Sequence, residues 1–139
     1  MATKIRDIMT GSPTSVSPEL DIVTVARAMR DEDIGTVLVA DSDRLHGLIT
    51  DRDLVVRGLA AGGDPHASTA GDVCSDVTAT IGPDDPVEKA AQVMRRHSVR
   101  RLPVIEDGQA IGIVSLGDLA IEQDSGSALA EISAAESNL

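Results

Sequence analysis

The sequence predicts an α+β (α/β) fold built from two β-α-β-β-α repeats packed as a pseudo-two-fold pair. Three observations predict it. The 139-residue chain matches itself without a gap when slid by 65 residues. GLITDRD (47–53) and GIVSLGD (112–118) repeat one pattern of glycine, apolar pair, hydroxyl and aspartate. In each half an apolar stripe at helical spacing precedes two short β-branched runs. Two copies are too few for a solenoid, so they are expected to pack face to face as one body.

The alignment of the halves is specific. Asp7-Ile8-Met9 falls on Asp72-Val73-Cys74, and Ala28-Met29-Arg30 on Val93-Met94-Arg95. Val39 falls on Val104, Gly47 on Gly112, Thr50 on Ser115 and Asp53 on Asp118. The boundaries expected from the repeat are 1–61 and 71–123. Residues 62–70 read as a Gly/Pro/Ser/Thr linker, and 124–139 as an acidic tail or short helix carrying Ala128, Leu129, Ile132 and Ala135.

Each unit opens on an extended piece, Thr14–Val16 and then Thr78–Ile81. A helix follows. Ile22, Val25, Ala26 and Met29 form its stripe in the first copy; Val87, Ala90, Ala91 and Met94 do so in the second. Asp85 reads as an N-cap with Pro86 at the first helical position. TVLVA (36–40) and LHGLIT (45–50) then predict a hairpin, as do RLPVI (101–105) and AIGIVS (110–115). Asp107-Gly108 is a strong two-residue turn signal and Ser42-Asp43 a weaker one. DLVVRGLAAG and DLAIEQ predict the closing helices, whose Leu54, Val55, Leu59, Leu119 and Ile121 are candidates for meeting a second subunit.

Composition bounds the function. The chain has no Phe, Tyr or Trp, so its core is aliphatic and the stacking platform for single-stranded nucleic acid is missing. A net charge of −11 repels a phosphate backbone and an anionic membrane surface, which argues against nucleic-acid and membrane partners. No segment approaches the ~20 apolar residues of a membrane span, and MATKIRDIMTGSPT has no signal-peptide core, so a cytoplasmic protein is expected. The single cysteine, Cys74, excludes a disulfide within one chain and reads as a small packing residue.

Thr50-x-x-Asp53 and Ser115-x-x-Asp118 sit where a strand turns into a helix. A capping box would account for each, at roughly 1 kcal/mol per cap. Two equivalent junctions also fit two equivalent clefts. A carboxylate at a helix start can accept from both hydroxyls of a ribose diol, while free N–H groups meet a phosphate. His46, His66 and His97 match no zinc spacing, and Asp41-x-Asp43 lacks the closing Glu of a calcium loop, so no metal site is expected. No triad, P-loop or dinucleotide fingerprint is present, and no catalytic residue is assigned. A metal-dependent hydrolase using Asp51, Asp53 and His46 is the weakest alternative.

IRDIM, SVSPELDIVTVARAMRDEDIGTVLV, GLITDRD, VEKAAQVMRRHSVRRLPVIEDG and GIVSLGDL together resemble two cystathionine-β-synthase (CBS) domains in tandem, a Bateman module, over residues 1 to about 122. RLHGLITDRDLVVRGLAAGGDP is similar to a stand-alone actinobacterial subgroup of it. The resemblance implies a non-enzymatic regulatory homodimer that binds AMP, ADP, ATP or S-adenosylmethionine between the copies and signals to a separate protein partner. It implies no required cofactor. Carried over, one site uses Thr14, Ser15, Val16, Ile34, Gly35, Thr36, Thr50 and Asp53. The other uses Thr78, Ala79, Thr80, Val99, Ser115 and Asp118. The resemblance further implies that Arg100 and Arg101 serve the phosphates of the Asp53 site from the facing copy, helped by Arg52, which makes Asp53 the better nucleotide site. Arg95 and Arg96 also suit a helix C-terminus, and Arg101 a structural ion pair. The competing reading is a ligand-free structural or protein-interaction dimer linked to stress response.

Overall fold

Asp21 begins the first long helix by accepting a hydrogen bond from Thr24 N at 3.0 Å. The computed structural model describes residues 3–42, 44–123 and 128–135, leaving aside the side chains of residues 123 and 128–130. Asp43, in the expected calcium-like turn, lies outside the described residues. In chain order the elements are α1 (Ile5–Ile8), β1 (Thr10–Gly11), β2 (Ser15–Val16), α2 (Ile22–Glu32), β3 (Thr36–Asp41), β4 (Arg44–Thr50) and α3 (Asp51–Asp53). A π-helical turn, Leu54–Leu59, continues α3. Then come α4 (Ala70–Val73), α5 (Val87–His97), β5 (Arg101–Glu106), β6 (Gln109–Ser115), α6 (Leu116–Gln123) and α7 (Ala128–Ala134).

Two compact units result, and they are offset from the sequence repeats. One holds Thr14–Val77; of the described residues, the other joins 3–13 with 78–123 and 128–135. Each core half therefore carries the short leading segment of the other repeat. Residues 70–77 pack with the first core, and residues 3–13 with the second.

The Thr14–Val77 unit has a sheet of order β2-β3-β4, with β2 parallel and β4 antiparallel to β3. Ile22, Val25 and Met29 of α2 pack with Val37, Val39, Ile49, Ala70 and Val73. Ala26, assigned to the same stripe from spacing, is exposed. Gly58 lets the π-helical turn close on this layer, since a Cβ there would stand 2.9 Å from Ile22 Cδ1.

The other unit has the order β1-β6-β5, all antiparallel. Its core joins Ile5 and Ile81 to Val87, Ala90, Met94, Leu102, Val104, Val114 and Leu119; Ala91 faces solvent. Asp107 and Gly108 both have positive φ, 54° and 81°, the mirror-image turn that suits a two-residue hairpin. Both hairpins carry a register shift at the equivalent place, Val39/Ala40 and Val104/Ile105.

Three expectations are corrected. The second long helix starts at Val87 with Pro86 as N-cap, because the Asp85 carboxylate is already taken by Gly82 N at 2.8 Å and Lys89 Nζ at 3.2 Å. Thr78–Ile81 is not a full strand. Ile81 alone bridges Val104, since Pro103 stands where Leu38 donates its N–H to Thr14 O at 2.9 Å in the other unit. Leu119 is 5% exposed and belongs to the core, so it does not offer a surface to a second subunit.

Candidate functional site

Thr50 ends β4 and turns the chain into α3. Its hydroxyl accepts from Asp53 N at 3.2 Å, while Asp53 Oδ2 accepts from Thr50 N at 2.9 Å and from the Thr50 hydroxyl at 3.1 Å. Asp53 is only 6% exposed. Its second oxygen accepts from Ser75 Oγ at 3.0 Å and faces Arg57 Nε at 3.8 Å. Arg57 in turn donates to Cys74 O at 3.1 Å. The capping box is therefore real, and the carboxylate accepts three hydrogen bonds within its own unit.

The other residues expected in this site stand at the same end of the same sheet. Thr36 pairs with Thr50 across β3 and β4, and Gly35 O accepts from Asp51 N at 3.0 Å. Thr14 leads into β2; its hydroxyl donates to Glu32 Oε1 at 2.6 Å. Ser15 and Val16 pair with Leu38 and Val39. Ile34 packs on the core and donates its N–H to Met29 O at 3.0 Å. Arg52 is exposed, and its backbone N–H donates to Asp51 Oδ1 at 2.9 Å.

The second junction repeats the box. Asp118 Oδ2 accepts from Ser115 N at 2.8 Å, and Ser115 Oγ accepts from Asp118 N at 3.2 Å. Asp118 Oδ1 has no hydrogen-bond partner among the described residues, and Asp118 is half-buried. Arg101 is the cross-strand partner of Ser115, and Arg100 O accepts from Leu116 N at 2.8 Å. Both guanidiniums are exposed and make no ion pair among the described residues. Val99 donates to Met94 O at 3.0 Å, and Thr78, Ala79 and Thr80 run up to the bridge at Ile81. Arg100 and Arg101 thus fall in the unit that carries Asp118.

An apolar hollow of about 190 Å³ lies elsewhere in the Thr14–Val77 unit, lined by Ile22, Val23, Ala26, Leu54, Leu59 and Pro65. Its walls offer no polar side chain to a nucleotide. Burial pushes the Cys74 thiol up from its ordinary pKa, which disfavours the thiolate. No group of three or more His, Cys, Asp or Glu side chains stands ready for a metal ion among the described residues. No helix among them is long and apolar enough to cross a membrane.

The CBS domain model matches this chain twice, over residues 5–58 and 70–124. The chain belongs to the CBS-domain family. Hypoxic response protein 1 of Mycobacterium tuberculosis is 41% identical over 119 residues, 85% of this chain and 83% of that protein. The CBS domain-containing protein YhcV of Bacillus subtilis is 36% identical over 135 residues, 94% and 96% of the two chains. A crystal structure of Hypoxic Response Protein I with two coordinated zinc ions superposes with a TM-score of 0.75 at 40% identity, covering 85% of this chain and 97% of that one. The CBS pair of protein MJ0100, in complex with 5′-methylthioadenosine and S-adenosyl-L-methionine, shares the fold at a TM-score of 0.74 and 24% identity, over 86% and 94%.

Within these CBS repeats, two residues of the first junction escaped the sequence reading: Ser75 and Arg57. Both left a signal. Ser75 is the repeat mate of Thr10, a hydroxyl kept at the end of both leading segments. Arg57 stands four residues after Asp53, the spacing of a helical ion pair.

Proposed function

We propose that this CBS pair is a regulatory module rather than an enzyme, one that binds an adenosyl nucleotide such as AMP, ADP or ATP and signals to a separate protein. The observation that carries the reading is the convergence, in each unit, of separate stretches on one strand-to-helix junction, three in the first and two in the second. Thr14–Val16, Ile34–Thr36 and Thr50–Asp53 meet in one unit. Ser115 and Asp118 meet Val99, Arg100 and Arg101 in the other. Such a junction offers backbone groups to a base and an acid to a ribose. The complex of MJ0100 with adenosyl compounds supports the reading at the level of fold. S-adenosylmethionine belongs to the same ligand class. No cofactor is needed.

Titration calorimetry of the full chain with AMP, ADP, ATP and S-adenosylmethionine tests it. Saturable binding of at least one of them is expected. No heat with any of the four, at concentrations up to about 1 mM, overturns the reading; that limit corresponds to roughly −4 kcal/mol of binding.

A second reading is a ligand-free interaction dimer linked to stress response. The internal hydrogen bonds of Asp53 with Ser75 and Thr50 favour it, since both carboxylate oxygens already have a partner. Both readings include a homodimer. Val55 and Leu59, 57% and 64% exposed on the π-helical turn beside the apolar hollow, are the residues we propose for its contact.

A further inference from the structure

We infer that two helix-to-strand elbows of this chain, repeat mates of opposite charge, dock on each other between copies: the basic elbow 95–101 of one copy meets the acidic elbow 30–36 of a second. The inference rests on the proposed homodimer and specifies the surfaces that orient it. It starts from one backbone arrangement that occurs twice with reversed charge.

The helices α2 and α5 end in the same way. Asp33 and Ser98 take the left-handed conformation, with φ of 54° and 55°. Each donates its N–H to the carbonyl three residues before it, on Arg30 or Arg95, at 3.4 Å. Ile34 and Val99 then donate to Met29 O and Met94 O, both at 3.0 Å. The next carbonyls, of Gly35 and Arg100, accept from Asp51 N at 3.0 Å and Leu116 N at 2.8 Å. The two elbows therefore share their cap, their closure and their tie to the following helix.

Their charges are reversed. RRHSVRR (95–101) has four arginines and no acid, while RDEDIGT (30–36) has three acids and one arginine. Arg95, Arg96, Arg100 and Arg101 are all exposed, and none makes an ion pair among the described residues. A chain with 23 acidic residues thus gathers four of its 12 lysines and arginines on one turn and leaves them unpaired there. At the other elbow Asp31, Glu32 and Asp33 are exposed. Asp31 meets only its neighbour Arg30, at 2.8 Å, a surface pair of small value.

The fold requires neither charge. Cations suit the negative end of a helix, which by itself would account for Arg95 and Arg96. Yet α2 forms the same cap with three acids at that end, where each is disfavoured by roughly 0.3–1 kcal/mol. Opposite charges that the helices do not need, on surfaces of matching backbone, fit a contact between those surfaces. Guanidinium and carboxylate can then pair through two parallel hydrogen bonds.

A second copy is the occupant that the chain itself supplies. A net charge of −11 repels one copy from another, so a stable contact has to set the few cations against acids. The acidic elbow also closes the helix whose first turns, at Ile22, Val23 and Ala26, line the apolar hollow together with Leu59. Asp31 lies about 8 Å beyond Ala26 along the helix axis, so a copy seated on the apolar face reaches the elbow. A two-fold axis makes the contact twice, which sets the first repeat of one copy against the second repeat of the other. Pairing of like repeats would oppose four arginines to four and is disfavoured.

Sedimentation equilibrium of the full chain, without nucleotide, tests the contact. Arg95→Glu, Arg96→Glu and Arg100→Glu together leave both elbows acidic. Asp31→Arg with Glu32→Arg leaves both basic. Each variant alone should dimerise at least about tenfold more weakly than wild type. Mixed in equal amounts, the two should form a heterodimer with the wild-type constant, because every elbow then meets its opposite. The inference is overturned if the reversed variants dimerise as wild type does. Weakening without recovery in the mixture also overturns it, since the charges then act within one chain. Arg95→Gln with Arg96→Gln keeps the test open if a reversed variant loses its circular dichroism spectrum. That pair should weaken the dimer about threefold, and an unchanged constant counts against the contact. A wild type that stays monomeric up to about 100 μM removes the homodimer reading itself, and the elbow contact with it.

Discussion

The Ser75 hydroxyl donates to Asp53 Oδ1 at 3.0 Å, joining two residues 22 positions apart in one part-buried polar contact. Replacing Ser75 by alanine leaves that oxygen with only Arg57, at 3.8 Å. The expected cost is about 1–3 kcal/mol, read as a lowered urea midpoint. In a double-mutant cycle with Asp53→Asn the two losses should fall short of their sum by at least about 0.5 kcal/mol. Strict additivity would show that the contact carries no stability.

Gly47 and Gly112 are repeat mates with different surroundings. A Cβ at Gly47 meets the carbonyl oxygen of Ser75, a backbone atom that cannot swing aside. At Gly112 the nearest atom is the flexible Met9 Sδ at 2.5 Å, with Thr10 O at 2.9 Å. Gly47→Ala should therefore destabilise more than Gly112→Ala, within the range of about 1–3 kcal/mol for overpacking. Thermal unfolding of the two variants side by side makes the comparison.

Arg6 donates to Asp84 Oδ1 at 2.9 Å and to Glu106 Oε2 at 3.1 Å, which anchors α1 to its unit. The hydrogen bond from Arg6 holds the Asp84 carboxyl below its ordinary value of 3.8. A depressed carboxyl contributes stability that is present above the unfolded value and lost as pH falls through the folded one. Arg6→Gln should thus be less stable than wild type at pH 5, with the gap closing as pH drops below 3.8. Urea midpoints taken across that window should converge at the acid end; parallel curves would assign the loss to packing.

Val55 and Leu59 expose apolar surface on a turn whose backbone is already satisfied, with Ala60 N donating to Val55 O at 2.9 Å. Val55→Glu with Leu59→Glu should leave the circular dichroism spectrum unchanged and shift the sedimentation coefficient from dimer to monomer. A dimer that survives both changes would place the contact elsewhere.

Much of the fold was legible because it is local. Both capping boxes, the Asp107-Gly108 turn and the helical stripes each depend on residues within one or two turns of one another. The 65-residue repeat was legible because side-chain pattern survives where identity does not. Less legible was the start of α5, where Asp85 looked like a cap until its carboxylate was found on Gly82 and Lys89. The shortened strand before Ile81 follows from Pro103, whose missing N–H matters only once its partner strand is known.

Sequence alone determined the family, the order of the two long helices and the two hairpins, and the spacing of the two capping-box carboxylates, since these rest on spacing along the chain. Tertiary structure decided which leading segment joins which core, and therefore that Ser75 and Arg57 close on Asp53 while Asp118 Oδ1 has no hydrogen-bond partner among the described residues. The physical reason is that a hydrogen bond saturates. Two like motifs acquire different surroundings when a side chain from a distant stretch takes the acceptor in one and not in the other.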